Sequence, residues 1–140
     1  MITVNAVRDS VITALDQSFP DIKKYGEEIK QGFEEPCFFV KLFPVSQDQI
    51  IGRRYLRNHA FDIHYFAKTN EALHDMADQL YDKMELIGLD DGLARGTKMH
   101  HEIVDGVLHF FVNYNFHVYK ESDVVDPMEI LTVNNNLKGD

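Results

Sequence analysis

Residues 99–119 read MHHEIVDGVLHFFVNYNFHVY, and their alternation decides the fold. Asp105-Gly106 is a two-residue hairpin signal, because a mirror-image turn needs positive φ at both central positions. After it, Leu108, Phe110, Val112, Tyr114, Phe116 and Val118 alternate with polar or smaller neighbours without a break. The thirteen residues from Val107 to Tyr119 would span about 44 Å at about 3.4 Å per residue. A usual strand has only about five or six residues, so this one either crosses the whole domain or projects beyond it. The turn also sets a register, with Val104 opposite Val107, Glu102 opposite His109 and His100 opposite Phe111.

Upstream of this hairpin, residues 70–87 carry Leu73, Met76, Ala77, Leu80, Met84 and Ile87 at steps of three and four. That spacing predicts an amphipathic helix, capped by Thr69 or Asn70 and ended by Gly88. Gly88, Gly92 and Gly96 then read as a connector. A first helix is predicted over residues 3–18, with Val4, Val7, Val11 and Leu15 on one stripe and Pro20 beyond its end. Between the helices, residues 22–29 read as a weak, polar edge strand. Residues 37–43 read as a strongly apolar strand ended by Pro44, and residues 45–52 as a polar loop. Residues 53–66 form a long strand, with Tyr55, Phe61, Ile63 and Tyr65 on one face. The order α-β-β-β-α-β-β implies a single α+β domain over residues 1–120, a mixed or antiparallel sheet with the two helices packed on it. Residues 121–140 read as a C-terminal tail, broken at Asp126-Pro127 and polar at its end.

The chain has 140 residues and a formal net charge of −9, from 14 basic and 23 acidic side chains. Such a balance disfavours a general nucleic-acid binder, which needs a basic face for phosphates. A single cysteine, Cys37, excludes an internal disulfide, and its apolar setting makes it a core residue rather than a nucleophile. There is no basic-then-apolar leader and no apolar run of membrane-spanning length. The expectation is a protein made in a reducing cytoplasm that does not associate with membranes.

Candidate chemistry is sparse. His100, Glu102 and His109 share one face of the predicted hairpin, and two imidazoles with a carboxylate are a possible metal set for a metal-dependent enzyme. Alternation alone would produce the same face, and the reading preferred is a solvated or interface surface. His101 falls on the apolar face, as a hydrogen-bonded core histidine. Asp62 and His64 lie two apart opposite Phe61 and Ile63. They could form an acid–base pair, but no nucleophile or second polar cluster converges on them, and a cross-strand polar row is the preferred reading. No phosphate-binding glycine loop is present. We therefore expect no catalytic residue, no metal and no cofactor. The one basic cluster, Arg53, Arg54 and Arg57, reads as a docking surface for an acidic neighbour, with ordinary surface and a small nucleic-acid patch as the alternatives. Met128, Ile130, Leu131 and Val133 form a short apolar island in the tail, expected either to dock on a neighbour or to pack on its own domain.

The stretch from Tyr25 to Phe66 carries a resemblance. Tyr25, Glu27, Glu28, Gln31, Gly32, Glu35, Pro36, Cys37, Phe38 and Phe39, followed by Arg54, Phe61, Ile63, His64, Tyr65 and Phe66, resemble the tail terminator proteins of contractile-tailed phages and defective prophages. The resemblance extends from the first helix to about Tyr119. It implies a virion assembly protein that caps the tail tube as a closed, usually hexameric ring. Such a ring stops tube polymerisation and offers a surface to the head connector. The implied partners are the tube protein, the head–tail connector protein and further copies of the chain. Another head–tail completion or adaptor protein of the same particle is the neighbouring alternative.

Overall fold

A computed structural model describes residues 2–26, 34–90 and 92–121. The element order is α1 (Val4–Ser18), β1 (Lys23–Tyr25), β2 (Cys37–Ile51), β3 (Arg54–Phe66), α2 (Asn70–Lys83), β4 (Leu86–Leu89), β5 (Gly92–Val104) and β6 (Val107–Tyr119). The strands form one mixed sheet in the order β1-β2-β3-β6-β5-β4, parallel only between β1 and β2. The expected single α+β domain with two helices on a mixed sheet is therefore correct.

Both helices begin as their sequence dictates. The Thr3 and Thr69 hydroxyls accept hydrogen bonds from the amides of Ala6 and Ala72, each at 3.1 Å. These caps satisfy one of the amides that every helix start leaves unpaired. Val7, Val11 and Leu15 of α1, with Leu73, Met76, Ala77 and Leu80 of α2, face a single layer of core. Opposite them stand Phe38 and Val40 of β2, Phe61, Ile63 and Tyr65 of β3, and Leu108, Phe110, Val112 and Tyr114 of β6, all buried. Period-two alternation puts these on one face of the sheet and leaves Asp62, His64, His109 and Phe111 on the other.

Three expectations need correction. Helix α2 ends at Lys83, with Met84 as its C-cap, and not at residue 87. Ile87 matches the helical stripe by spacing but is buried as a residue of β4, and Gly88 lies inside that strand. The supposed glycine connector is strand: β5 starts at Gly92, so the order gains one strand, α-β-β-β-α-β-β-β. Gly96 explains why the chain needs glycine there. A Cβ would stand 2.7 Å from the Met84 carbonyl oxygen and 2.9 Å from a Val112 methyl, closer than real side-chain carbons approach. Finally, the supposed polar loop 45–52 continues β2. The strand absorbs Pro44 at a register shift between Leu42 and Val45 and runs on to Ile51. Proline is tolerated there because this part of β2 is a sheet edge.

The two turns behave as tight hairpin connections should. Asp105 and Gly106 both have positive φ, 53° and 76°. The β2–β3 turn carries Gly52 at φ 55° in its first central position. The register Val104↔Val107, Glu102↔His109 and His100↔Phe111 is found as expected.

Candidate functional site

Two surfaces merit functional reading, the lateral edge made by β2 and the sheet face turned away from the helices.

β1 pairs with β2 only along Lys23–Tyr25, opposite Cys37–Phe39. Beyond Phe39, among the described residues, the outer side of β2 has no strand partner. Every residue from Phe43 to Ile51 is exposed, including Phe43, Val45, Ile50 and Ile51, the last at 70%. A long edge of this kind presents unpaired backbone amides and carbonyls beside apolar side chains, which is a template for another chain. At the opposite lateral edge, Leu86 of β4 and Leu93 of β5 are exposed as well, Leu93 at 72%.

The arginines stand at the β2–β3 end. Arg53 lies in the turn and is exposed, and its guanidinium donates to the Lys120 carbonyl at 3.3 Å. The Lys120 amide in return donates to the Arg53 carbonyl at 2.9 Å, tying the end of β6 to the turn. Arg54 opens β3 opposite Tyr119 and is half-buried. Arg57 is held within the chain: Nε and Nη2 donate to the Gln47 side-chain oxygen at 3.0 and 2.7 Å, and Nη1 donates to the Ile2 carbonyl at 3.2 Å. The three arginines therefore share one end of the sheet but do not point as a single free patch. The remaining candidates, Met128, Ile130 and Leu131, with the tail from residue 122, lie outside the described residues.

On the open face, the histidines sort differently from the sequence expectation. His109 and Glu102 are cross-strand partners, yet the His109 imidazole turns toward β3. Its Nδ1 donates to Asp62 Oδ2 at 3.0 Å, and His64 Nε2 donates to the same oxygen at 2.8 Å. The two rings are 4.4 Å apart, edge to face. Asp62 is 6% exposed, and its other oxygen, Oδ1, is buried with no hydrogen-bond partner among the described residues. Burial pushes the Asp62 carboxyl up, but the hydrogen bonds and charges of the two imidazoles outweigh it and hold the group below its ordinary range. His100 is not part of this group. Its ring stacks on Phe111 at 4.6 Å, and Nδ1 donates to the Lys98 carbonyl at 3.1 Å. The sequence suggested Asp62 with His64 and, separately, His100, Glu102 and His109; the structure joins Asp62, His64 and His109. The missing signal was the pairing of β3 with β6, which places His64 opposite His109 across 44 residues of intervening chain.

His101 is hydrogen-bonded on the apolar side of the sheet as expected, but at the margin of the core and not inside it. It is half-buried on the helix side, with Nδ1 at 2.8 Å from the Tyr81 hydroxyl and Nε2 at 3.4 Å from His74 Nδ1. No helix among the described residues is long and apolar enough to cross a membrane.

Residues 6–126 match the family model described as phage tail terminator protein. No curated protein matches the chain.

Proposed function

Since the chain belongs to the phage tail terminator family, we propose that it caps the tail tube as a closed ring, halts tube polymerisation and offers the outer ring face to the head connector. Membership makes it a tail-completion structural protein of the virion. Capping of this kind works by shape and charge and needs no chemistry. One ring face reproduces the stacking surface of the tube, and the other refuses a further tube ring.

The observation that carries the ring is the pair of exposed apolar edges. Phe43, Val45, Ile50 and Ile51 mark one lateral edge of the sheet, and Leu86 and Leu93 mark the other. Closure into a ring requires a heterologous contact, in which one patch of each copy meets a different patch of the next. Two unlike edges at opposite sides of a sheet supply that, and the backbone of β2 beyond Phe39 adds hydrogen-bonding groups that have no strand partner among the described residues. The net charge of −9 suits a ring through which DNA passes, because a negative lumen does not hold phosphates. Assembly takes place in the host cytoplasm, and Arg53, Arg54, Met128, Ile130 and Leu131 contribute to contacts with the tube or the neighbouring copy.

Electron microscopy of tail tubes incubated with the protein tests this reading. Wild-type protein should leave tubes of defined length with a ring on one end. Ile50→Asp with Ile51→Asp should abolish the ring while leaving the unfolding free energy within about 0.5 kcal/mol of wild type per substitution, since both side chains are exposed. Normal capping by that variant would remove the β2 edge from the interface. Arg53→Glu with Arg54→Glu probes the tip separately, whereas Arg57→Glu would also break the bonds to Gln47 and Ile2.

A further inference from the structure

We propose that Asp62, His64 and His109 form a binding site for a divalent first-row transition ion, with zinc as its ordinary occupant. The site is independent of the ring reading and lies on the sheet face away from the helices.

Three observations converge. The donor set is two imidazole nitrogens and one carboxylate, and the ligand atoms all lie within 4.8 Å of one another. That composition suits borderline ions such as Zn²⁺, Co²⁺ and Ni²⁺, whereas Mg²⁺ and Ca²⁺ favour oxygen ligands throughout. The separations also fit. Tetrahedral ligands at about 2.0–2.1 Å from a zinc ion are about 3.4 Å apart, so separations near 3 Å come into range with an outward shift of about half an ångström. The chain sets Asp62 Oδ2 2.8 Å from His64 Nε2 and 3.0 Å from His109 Nδ1. With the two imidazole nitrogens within 4.8 Å of each other as well, the three groups can converge on one ion and leave its remaining positions for water.

The second observation is the carboxylate itself. Asp62 is more than nine-tenths buried, and Oδ1 has no partner among the described residues. Leaving a buried carboxylate oxygen unpaired costs free energy. An ion held by both carboxylate oxygens would satisfy Oδ1 and neutralise the charge in one step. The third observation is access. The His64 and His109 side chains are 24% and 23% exposed, so both rings are partly open to solvent while the acid behind them is not. Ligation uses the lone pairs of His64 Nε2 and His109 Nδ1, so each neutral ring carries its proton on the other nitrogen, His64 Nδ1 and His109 Nε2, when the ion is held. The ion would clip β3 to β6 at the centre of the sheet, and metal binding of this kind adds to folding stability.

The test uses variants that keep the hydrogen bonds and remove the ligands. An asparagine amide can stand where Nδ1 of His109 donates, and a glutamine amide where Nε2 of His64 donates, yet neither is a good transition-metal ligand. Zinc titration by calorimetry, with Co²⁺ absorption as the coordination probe, should give one equivalent per chain for wild type and a rise in melting temperature with added ion. The double variant His64→Gln with His109→Asn should fold and melt like metal-free wild type, with affinity reduced at least about tenfold. His100→Ala should leave binding unchanged. Absence of stoichiometric binding by wild type, unchanged binding by the double variant, or binding lost instead on replacing His74 and His101 would each overturn the site.

Discussion

The Tyr114 hydroxyl donates a hydrogen bond of 2.7 Å to the carbonyl oxygen of Met84. Tyr114 and Met84 are both fully buried, so the C-terminus of α2 is anchored to the middle of β6. Burial pushes the Tyr114 phenol well above its ordinary pKa, which keeps it a donor throughout the working pH range. Tyr114→Phe preserves the ring and orphans the carbonyl. It should lower stability by about 1–3 kcal/mol, measured by chemical denaturation with an unchanged m-value.

Gly96 passes beside the same carbonyl, and its amide donates to the Glu85 carbonyl at 2.7 Å. Gly96→Ala would force a methyl against backbone that cannot retreat. A loss of about 1–3 kcal/mol is expected, despite the usual gain from replacing glycine in a strand. Gly88→Ala meets no atom within 4 Å and serves as the neutral control.

His59 makes stability fall with acid. The ring is fully buried, Nδ1 donates to the Tyr114 carbonyl at 3.2 Å, and Nε2 has no partner among the described residues. Burial lowers its pKa, outweighing the Tyr114 hydrogen bond that favours the charged ring, and Arg57 adds to the lowering. The unfolded chain therefore takes up this proton first, as pH drops below about 6.5. Stability is intact above that pH and declines towards the folded-state pKa, by at most about 1.4 kcal/mol per pH unit from this group. His59→Phe should flatten that part of the stability profile between pH 7 and 5.

Cys37 should be inert while the chain is folded. It is fully buried, and burial, with a smaller contribution from the Glu35 charge, pushes its thiol up to about 11. At pH 8 only about one thiol in a thousand would be ionised even if reagent could reach it. Reaction with a disulfide reagent should be at least about a hundredfold slower than in denaturant. Equal rates would show that the β1–β2 region opens.

The sequence displayed whatever depends on neighbours along the chain. Alternation in residues 107–119 announced β6, Asp105-Gly106 announced the turn and its register, and the stripes of α1 and α2 announced their buried faces. Where it misled, two periods overlapped or a punctuating residue was taken at face value. Ile87 sits at a helical step from Met84, yet the chain had already left α2. Pro44 looked like a strand end, but an edge strand with a register shift accommodates it. Asp62, His64 and His109 stayed hidden as a group because no local signal tells which strand will lie beside β3. That choice is made by the core, which pairs Phe61 with Val112 and Ile63 with Phe110 across the same two strands.

The β3–β6 ladder runs from Arg54↔Tyr119 to Phe66↔Val107 without a register shift, while the bulges fall in β2 against β3 and in β5 against β6. Mechanically this makes the central strand pair a stiff beam with compliance reserved for its flanks. A ring closes only if every copy holds the same angle to its neighbour, and small angular errors accumulate around the circle. In the proposed ring, a beam without a hinge would fix the direction in which each subunit presents its edges, and the softer flanking strands would absorb the residual misfit at each joint.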